Sequence, residues 1–487
     1  MQSEWNHSAT ISCSGTAQSQ VLLDLHKFEN ALLILDDHIT RSPYDTNSWV
    51  QHGSFMKEHG FPEIAVGDAF KAKLLLDRGP DNVEARKAVY EVLGQALLDC
   101  HCHSEATDLW EEASKRYPEW IVACEKATGL HELLRRKEAA SASLGGTPQE
   151  QKDRLKDGGV FTVEYPWAEF SWTPERPLKR SSKLVALIND ELRGEDSEAT
   201  CYLARSTLAA DENDDMLGMF ANREIQSGEC ILVNRTATGI CSTPTPDPCA
   251  NCYTSLPELP EQAPCCPETF CSRECLNLAL NTYHKALCSK DFSWLQTPAL
   301  GLPHNVSPLR PLLMLRFLAT SVQAGVQTSP LDQPLIARLQ PLSNKHHLDV
   351  FTLTESVALP LKILEQLGVD IFANRNFDTG VLQSIWTRLA NNKAGERDGR
   401  LGYVDEITPH LPLFNHSCEP NVEWRRDEGS TTVRFFSRKR VGRGEELFCA
   451  YVNVWGRGVR ERREMLWPWF EGGCLCERCR RESGCGV

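Results

Sequence analysis

What this 487-residue sequence lacks narrows it before any motif is read. It has no surplus of cations: 52 Lys and Arg stand against 66 Asp and Glu, for a net charge of −14. Broad binding to a phosphate backbone is driven by clustered Lys and Arg, so no direct nucleic-acid partner is expected. Basic ligands such as Lys-rich tails suit the balance better. It has no long apolar run. The most apolar stretch, PLLMLRFLATSV at 311–322, is short and carries Arg316, whereas a bilayer span takes about 20 residues. No membrane partner is expected. The opening MQSEWNHSATISCSG has no basic stretch followed by an apolar core, which argues against a secretory signal and predicts an intracellular chain, in cytoplasm and/or nucleus. KRSSK and RERRE are too short and mixed to serve as nuclear import signals and read as solvated surface.

What is present is cysteine, 20 residues of it. In a reducing compartment such usage favours metal ligation over a disulfide framework. Seven cysteines fall within 249–288 and three within 474–479. The scattered remainder, such as Cys13, Cys124 and Cys230, read as small buried apolar residues. Hydrophobic content of 41% and charged content of 24% are globular values. The length predicts two to four structural units.

Residues 1–138 carry a helical period with internal repetition. Gly53, Met56, Ala65, Ala69 and Ala72 are spaced by 3, 9, 4 and 3, and Gly94, Leu97, Ala106, Trp110 and Ala113 repeat that spacing, with Pro118 following. Trp49 fits the same register. The pattern resembles tetratricopeptide repeats, in which small residues let paired helices pack closely, and it implies a groove for a peptide partner. Two repeats are fewer than the three usually needed, so helices over 21–40 and 120–137 are expected to complete the stack. An ordinary helical bundle is the alternative. Residues 139–198 read as a linker followed by the extended aromatic and proline segment VEYPWAEFSWTPERP. In 199–240, MFANREI and GECILVN read as strands around the turn QSG. In 291–390, helical patterns cover 308–325, 349–367 and 379–391, where Leu382, Ile385, Trp386 and Leu389 share a face. In 391–455 the strands VEWRR, TTVRFFSRK and ELFCAYV follow, and 456–487 ends in cysteines. The fold class expected is multidomain α+β.

The block 245–290 offers ordered donor pairs: Cys249 with Cys252, Cys265 with Cys266, Cys271 with Cys275, and His284 with Cys288. Zinc takes four soft or borderline donors in a tetrahedron, and cysteines two or three residues apart can grip one ion. Eight donors suffice for two ions. Their order, with the phrase FCSREC and the closing His-x3-Cys, resembles the MYND zinc finger. That resemblance implies that Cys249, Cys252, Cys271 and Cys275 hold one ion, and Cys265, Cys266, His284 and Cys288 the other. One pair departs from the pattern: Cys265 and Cys266 are adjacent rather than two residues apart, a spacing that asks backbone strain of a shared ion.

The segment NHSCEPN at 415–421, some 30 residues before GEELFCAYV and the closing CLCERC, resembles the signature of SET-domain lysine methyltransferases. With a MYND-like finger between two SET halves, the chain resembles the SET-and-MYND type from about residue 200 to 480. The resemblance implies a β-rich SET fold (199–240 and 391–455) interrupted by the finger and a helical insert, and closed by a post-SET zinc cluster. It implies S-adenosylmethionine-dependent transfer of a methyl group to a protein lysine, on a histone or another protein. Asn415 and the His416 backbone, Leu217, Gly218, Met219, Asn392 and Phe470 would then meet the cofactor. Tyr451 would stand at the mouth of the lysine channel. Cys474, Cys476 and Cys479 would share a third zinc with Cys418.

The chemistry can be stated without the family. A sulfonium-to-amine transfer is an in-line displacement on a neutral amine. Deprotonating a lysine of pKa near 10.4 at neutral pH costs roughly 4 kcal/mol. A narrow apolar channel lowers that cost, and a tyrosine hydroxyl can aim the lone pair. Departures from the family pattern are three. Met216 stands where a glycine is expected, Gly472 and Gly473 displace the aromatic before Cys474 to Phe470, and Ala394 replaces a phenylalanine. They motivate the alternative of a SET-fold scaffold that binds partners through its repeats and finger without turnover. No Rossmann-type glycine fingerprint follows a strand, which disfavours that other methyltransferase class.

Overall fold

The computed structural model describes residues 15–80, 82–123, parts of 135–165, 182–193, 199–208, 216–234, 236–241, 248–296, 309–339, 347–398, 402–427, 432–470 and 473–483. Cys13, Cys124, Gly472, most of the expected linker and nearly all of the aromatic and proline segment lie outside these. The chain divides into two compact units, one of Met1–Val160, Gly301–Val306 and Leu348–Leu382, the other of Phe161–Leu300, Ser307–His347 and Gln383–Val487. The stretch read as a helical insert, 291–390, thus contributes to both.

Five helices open the first unit: α1 (Gly15–Arg41), α2 (Thr46–Glu58), α3 (Pro62–Arg78), α4 (Val83–Asp99) and α5 (His103–Arg116). Their starts are chemically marked. Asp45 accepts the Asn47 and Ser48 N–H groups at the head of α2, Asn82 accepts that of Ala85 at the head of α4, and Pro62 opens α3. The small residues of the register lie at the crossings: Ala65, Ala69, Ala72, Ala106 and Ala113 are all 0% exposed. A Cβ on Gly94 would stand 2.6 Å from the Trp110 indole nitrogen, so only glycine fits there.

The core of this unit also holds a charge cluster that the register does not foretell. Arg375 pairs with Asp36 and Asp378, Lys71 lies 2.8 Å from Asp378, and His52 lies 2.6 Å from Asp68 and 3.5 Å from Asp36. The Lys71 ammonium sits 4.4 Å from the Trp49 ring centre. Burial pulls the His52 pKa down, but the Asp68 charge and the contacts to Asp36 and Asp68 carry it up to about 9. The cluster binds the 370–378 segment to helices more than 290 residues earlier in sequence, Lys71 to Asp378 being 307 apart.

The second unit is built on strands β1 (Cys201–Arg205), β2 (Leu217–Ala221), β3 (Cys230–Asn234), β4 (Thr238–Cys241), β5 (Ala394–Asp398), β6 (Gly402–Ile407), β7 (Asn415–His416), β8 (Val422–Arg426), β9 (Val433–Ser437) and β10 (Glu446–Cys449). They form three small sheets in the orders β7-β10-β2-β1, β8-β9-β3 and β4-β6-β5. The alternation in VRFFS buries Val433 and Phe435 and leaves the residues between them half-exposed. Phe414 and Phe435 stack at 4.7 Å in a core shared with Leu203, Met219, Val441 and Leu447. Cys230 is exposed rather than buried. It occupies the outward position of β3 while the next residue, Ile231, is 5% exposed and faces the core.

One crossing positions the site. Strand β7 runs parallel to β10, with Asn415 opposite Phe448 and His416 opposite Cys449. Asn421 then fixes the crossing from both sides, its Nδ2 donating to Glu446 O at 2.8 Å and its Oδ1 accepting the Phe448 N–H at 2.7 Å. Ser417 N donates to Cys449 O at 2.9 Å. Residues 415–421 are thereby threaded alongside 446–451.

Candidate functional site

The cysteine clusters assemble from local rules. In the finger, Ser272 caps the helix Arg273–Thr282 by accepting the Cys275 N–H, which turns Cys271 and Cys275 to one side. Three sets of four donor atoms each lie within 4.8 Å of one another: Cys249, Cys252, Cys271 and Cys275; Cys265, Cys266, His284 and Cys288; Cys418, Cys474, Cys476 and Cys479. A tetrahedral zinc with Zn–S bonds of about 2.3 Å sets its sulfurs about 3.8 Å apart. The sulfur separations match: 3.6 Å for Cys252–Cys271, 3.6 Å for Cys265–Cys288, 3.9 Å for Cys418–Cys474 and 3.5 Å for Cys418–Cys479. These donor sets fit zinc.

The adjacent pair in the second set is accommodated without left-handed backbone, since neither Cys265 nor Cys266 has a positive φ. Their sulfurs lie 3.2 and 3.5 Å from His284 Nε2. The other ring nitrogen, His284 Nδ1, meets Glu268 at 3.1 Å, which fixes the ring with Nε2 facing the thiols.

The crossing of β7 and β10 builds a second constellation. Glu446 is 3% exposed, and its carboxylate accepts from Ser206 Oγ at 2.7 Å, from Thr207 N at 2.8 Å and from the Thr207 hydroxyl. The Asn415 amide donates to Leu217 O at 2.9 Å, Glu446 Oε1 at 2.9 Å and Ser206 Oγ at 3.0 Å. Gly218 is required beside them, because a Cβ there would stand 2.2 Å from Glu446 Oε1. Met216, standing in the place of a family glycine, gives its carbonyl to Ser206 N at 2.8 Å. Leu217, Gly218 and Asn415 are brought together; Met219 pairs with Leu203 and Leu447 in the sheet, and its side chain lies at 0% exposure in the core.

His416 links this constellation to the third cluster. Its Nδ1 accepts the Tyr451 N–H at 3.0 Å, which leaves Nε2 to carry the proton toward Cys418 Sγ, 3.3 Å away. Burial holds its pKa down at about 4, so the ring is neutral at pH 7. Above it the Tyr451 and Phe470 rings stack, tilted by 12° at 6.3 Å, and Trp469 meets Tyr451 edge-on at 5.8 Å. Gly473, at φ +92°, a place for glycine, donates its N–H to Phe470 O at 3.1 Å. The Phe470 ring lies over His416, 5.7 Å between ring centres. Tyr451 remains 38% exposed, and the protein packed around its hydroxyl raises its pKa, so that it stays a phenol at pH 7.

Asn392 donates its amide to Arg388 O at 2.7 Å within its own helix, while its neighbour Asn391 takes the Trp469 indole N–H. Glu446, Ser206, Asn391 and Trp469 were not singled out in the sequence. For Glu446 a signal existed: a carboxylate in the otherwise apolar strand ELFC must find buried donors. The other three are polar or aromatic residues with no local pattern to mark them.

Comparison with known proteins agrees with this architecture. Residues 216–452 match the model of the SET domain. Histone-lysine N-methyltransferase SET5 of Saccharomyces cerevisiae is 34% identical over 80 residues, which cover 16% of this chain and 15% of that protein. A SET and MYND domain-containing protein of Dictyostelium discoideum is 22% identical over 322 residues, covering 57% of this chain and 82% of that one. The solved SET domain of LSMT, bound to lysine and AdoHcy, matches at 13% identity and a TM-score of 0.26 over 59% of this chain and 57% of that chain. The chain thus spans less than a sixth of the yeast relative's length, and none of the helices described is long and apolar enough to cross a membrane.

Proposed function

From the premise that residues 216–452 are a SET domain, we propose that the chain is an S-adenosylmethionine-dependent protein-lysine N-methyltransferase of the SET-and-MYND type. The observation that carries the reading is the meeting of Asn415, His416 and Tyr451 at one strand crossing. S-adenosylmethionine, when bound, supplies a methyl group on a sulfonium centre. The residues suit such a cation: the neutral His416 ring adds no opposing charge, Tyr451, Trp469 and Phe470 offer aromatic faces, and the Glu446 carboxylate accepts from the neighbouring Asn415 amide.

Each residue then has a role in the chain's own chemistry. Asn415, held by Leu217 O and Glu446, presents its backbone at the edge of the pocket. The rings of Tyr451, Trp469 and Phe470 exclude water from the incoming lysine and disfavour its ammonium form. The Tyr451 hydroxyl, a phenol at neutral pH, can take an amine N–H and so point the lone pair along the line of displacement. Zinc in the third cluster, bridging Cys418 to Cys474–Cys479, would clamp the C-terminal segment that carries Phe470. The finger and the helical repeats are proposed to receive protein or peptide partners.

The test is to incubate the purified chain and methyl-labelled S-adenosylmethionine with histones and with cell extract, alongside Tyr451→Phe. Label on lysine that disappears in the variant supports the enzyme. Calorimetry that finds no cofactor binding leaves the scaffold reading in its place.

A further inference from the structure

The helix Arg310–Ala324 and the part from Gln383 onward of the helix Thr379–Asn392, both in the second unit, carry buried polar groups that the proposed methyl transfer does not use. Arg310 opens the helix Arg310–Ala324 and is 7% exposed. Its guanidinium carbon lies 4.4 Å from the centre of the Trp386 ring. Its Nε and Nη1 are nonetheless sealed from solvent without a hydrogen-bond partner among the described residues. The same is true of Trp386 Nε1 and of both side-chain polar atoms of Gln383. Gln383 stands one helical turn before Trp386, hence on the same face. Gln383 is 1% exposed and Trp386 0%.

Native interiors leave few buried polar groups unpaired, and a buried guanidinium without a counter-charge is among the costliest. Water can meet hydrogen bonds here but cannot neutralise the charge. The groups also have a definite polarity. Arg310, Trp386 and the Gln383 amide offer N–H donors, and Gln383 Oε1 offers one acceptor. We propose that Arg310, Gln383 and Trp386 form a binding site for a small oxyanion that also carries one O–H, of which hydrogen phosphate is the simplest. The anion's oxygens take the donors, the Arg310 fork supplies the charge, and the O–H meets Gln383 Oε1. None of these residues belongs to the Asn415–Tyr451 constellation, so the proposal stands or falls separately from methyl transfer.

The experiment uses the full chain. Thermal unfolding is followed against inorganic phosphate at constant ionic strength, with chloride as the balancing anion, and phosphorus NMR line width is read on the same samples. Wild type should show a saturable rise in Tm and line broadening, weakened at least tenfold in Arg310→Met and in Gln383→Leu. Arg310→Lys keeps the charge without the fork, and should also bind about tenfold more weakly; it carries the comparison if Arg310→Met does not fold. Acetate, which lacks the O–H, should bind at least tenfold more weakly than phosphate. No saturable response in wild type, an equal response in the Arg310 variants, or acetate as good as phosphate would each overturn the assignment.

Discussion

The finger at 249–288 and the cluster of Cys418 with Cys474–Cys479 use the same kind of donors on opposite plans. In the finger every ligand lies within 40 residues, so both donor sets close within one short stretch, which holds the ribbon Glu261–Gln262 with Thr269–Phe270 and bonds to the helix Arg310–Ala324 through Arg316 and Gln323. In the third cluster the ligands stand 56 and 61 residues apart in sequence, and the first of them, Cys418, sits two residues beyond His416. Metal in the finger would stabilise the finger. Metal in the third cluster would also fix the His416 ring through Cys418 and, with it, the rings stacked over the proposed pocket. The same chemistry would then serve local folding in one place and assembly of the proposed site in the other.

The strongest way to break that contrast is Cys418→Ser. Structural zinc contributes roughly 10–16 kcal/mol of apparent folding free energy in small sites. Losing this ligand should therefore remove one zinc per chain, lower Tm by several degrees and weaken cofactor affinity at least tenfold, as read by elemental analysis, calorimetry and thermal unfolding. The first unit supplies a clamp of a third kind, held by charge and answering to pH instead of chelator. The His52 pKa rises from 6.5 to about 9 in the folded chain. Its contribution is complete below pH 6.5 and is lost as pH climbs through about 9, up to about 3 kcal/mol in all. Stability between pH 6.5 and 9 should fall in wild type, and much less in His52→Asn, by denaturant titration.

Tyr451→Phe separates chemistry from assembly. It removes one hydroxyl while keeping the ring stack, so kcat should drop about a hundredfold or more with cofactor affinity within about twofold. Cys271→Ser, the smallest expected effect on the site, should cost one finger zinc while methyl transfer to a short lysine peptide stays within about threefold.

Much of the site was legible because donor pairs and the NHSCEPN segment are written as spacings, and the donor sets that the MYND and SET resemblance implies are those that meet in space. The alternating strands VEWRR, TTVRFFSRK and ELFCAYV likewise form where the pattern puts them, as β8, β9 and β10. Strands β1, β4, β5, β6 and β7 have no strand pattern to mark them, since CYLAR, TGIC and the two-residue β7 are short and AGERD is polar. Their pairing depends on neighbours brought by the fold, such as Val404 opposite Cys241. The link from His416 to Cys418 was equally hidden. The SET resemblance implies metal for Cys418 and cofactor for the His416 backbone, and only the ring geometry joins the two. The Lys71–Asp378 pair shows the same limit, for no local pattern points across 307 residues.

The central claim, that the third cluster and the proposed cofactor pocket are one piece while the finger is another, is tested most directly by calorimetric binding of S-adenosylhomocysteine to wild type, Cys271→Ser and Cys418→Ser. Wild type and Cys271→Ser should bind within about threefold of each other, and Cys418→Ser at least tenfold more weakly. Equal binding by all three proteins, or no binding by wild type, would contradict it.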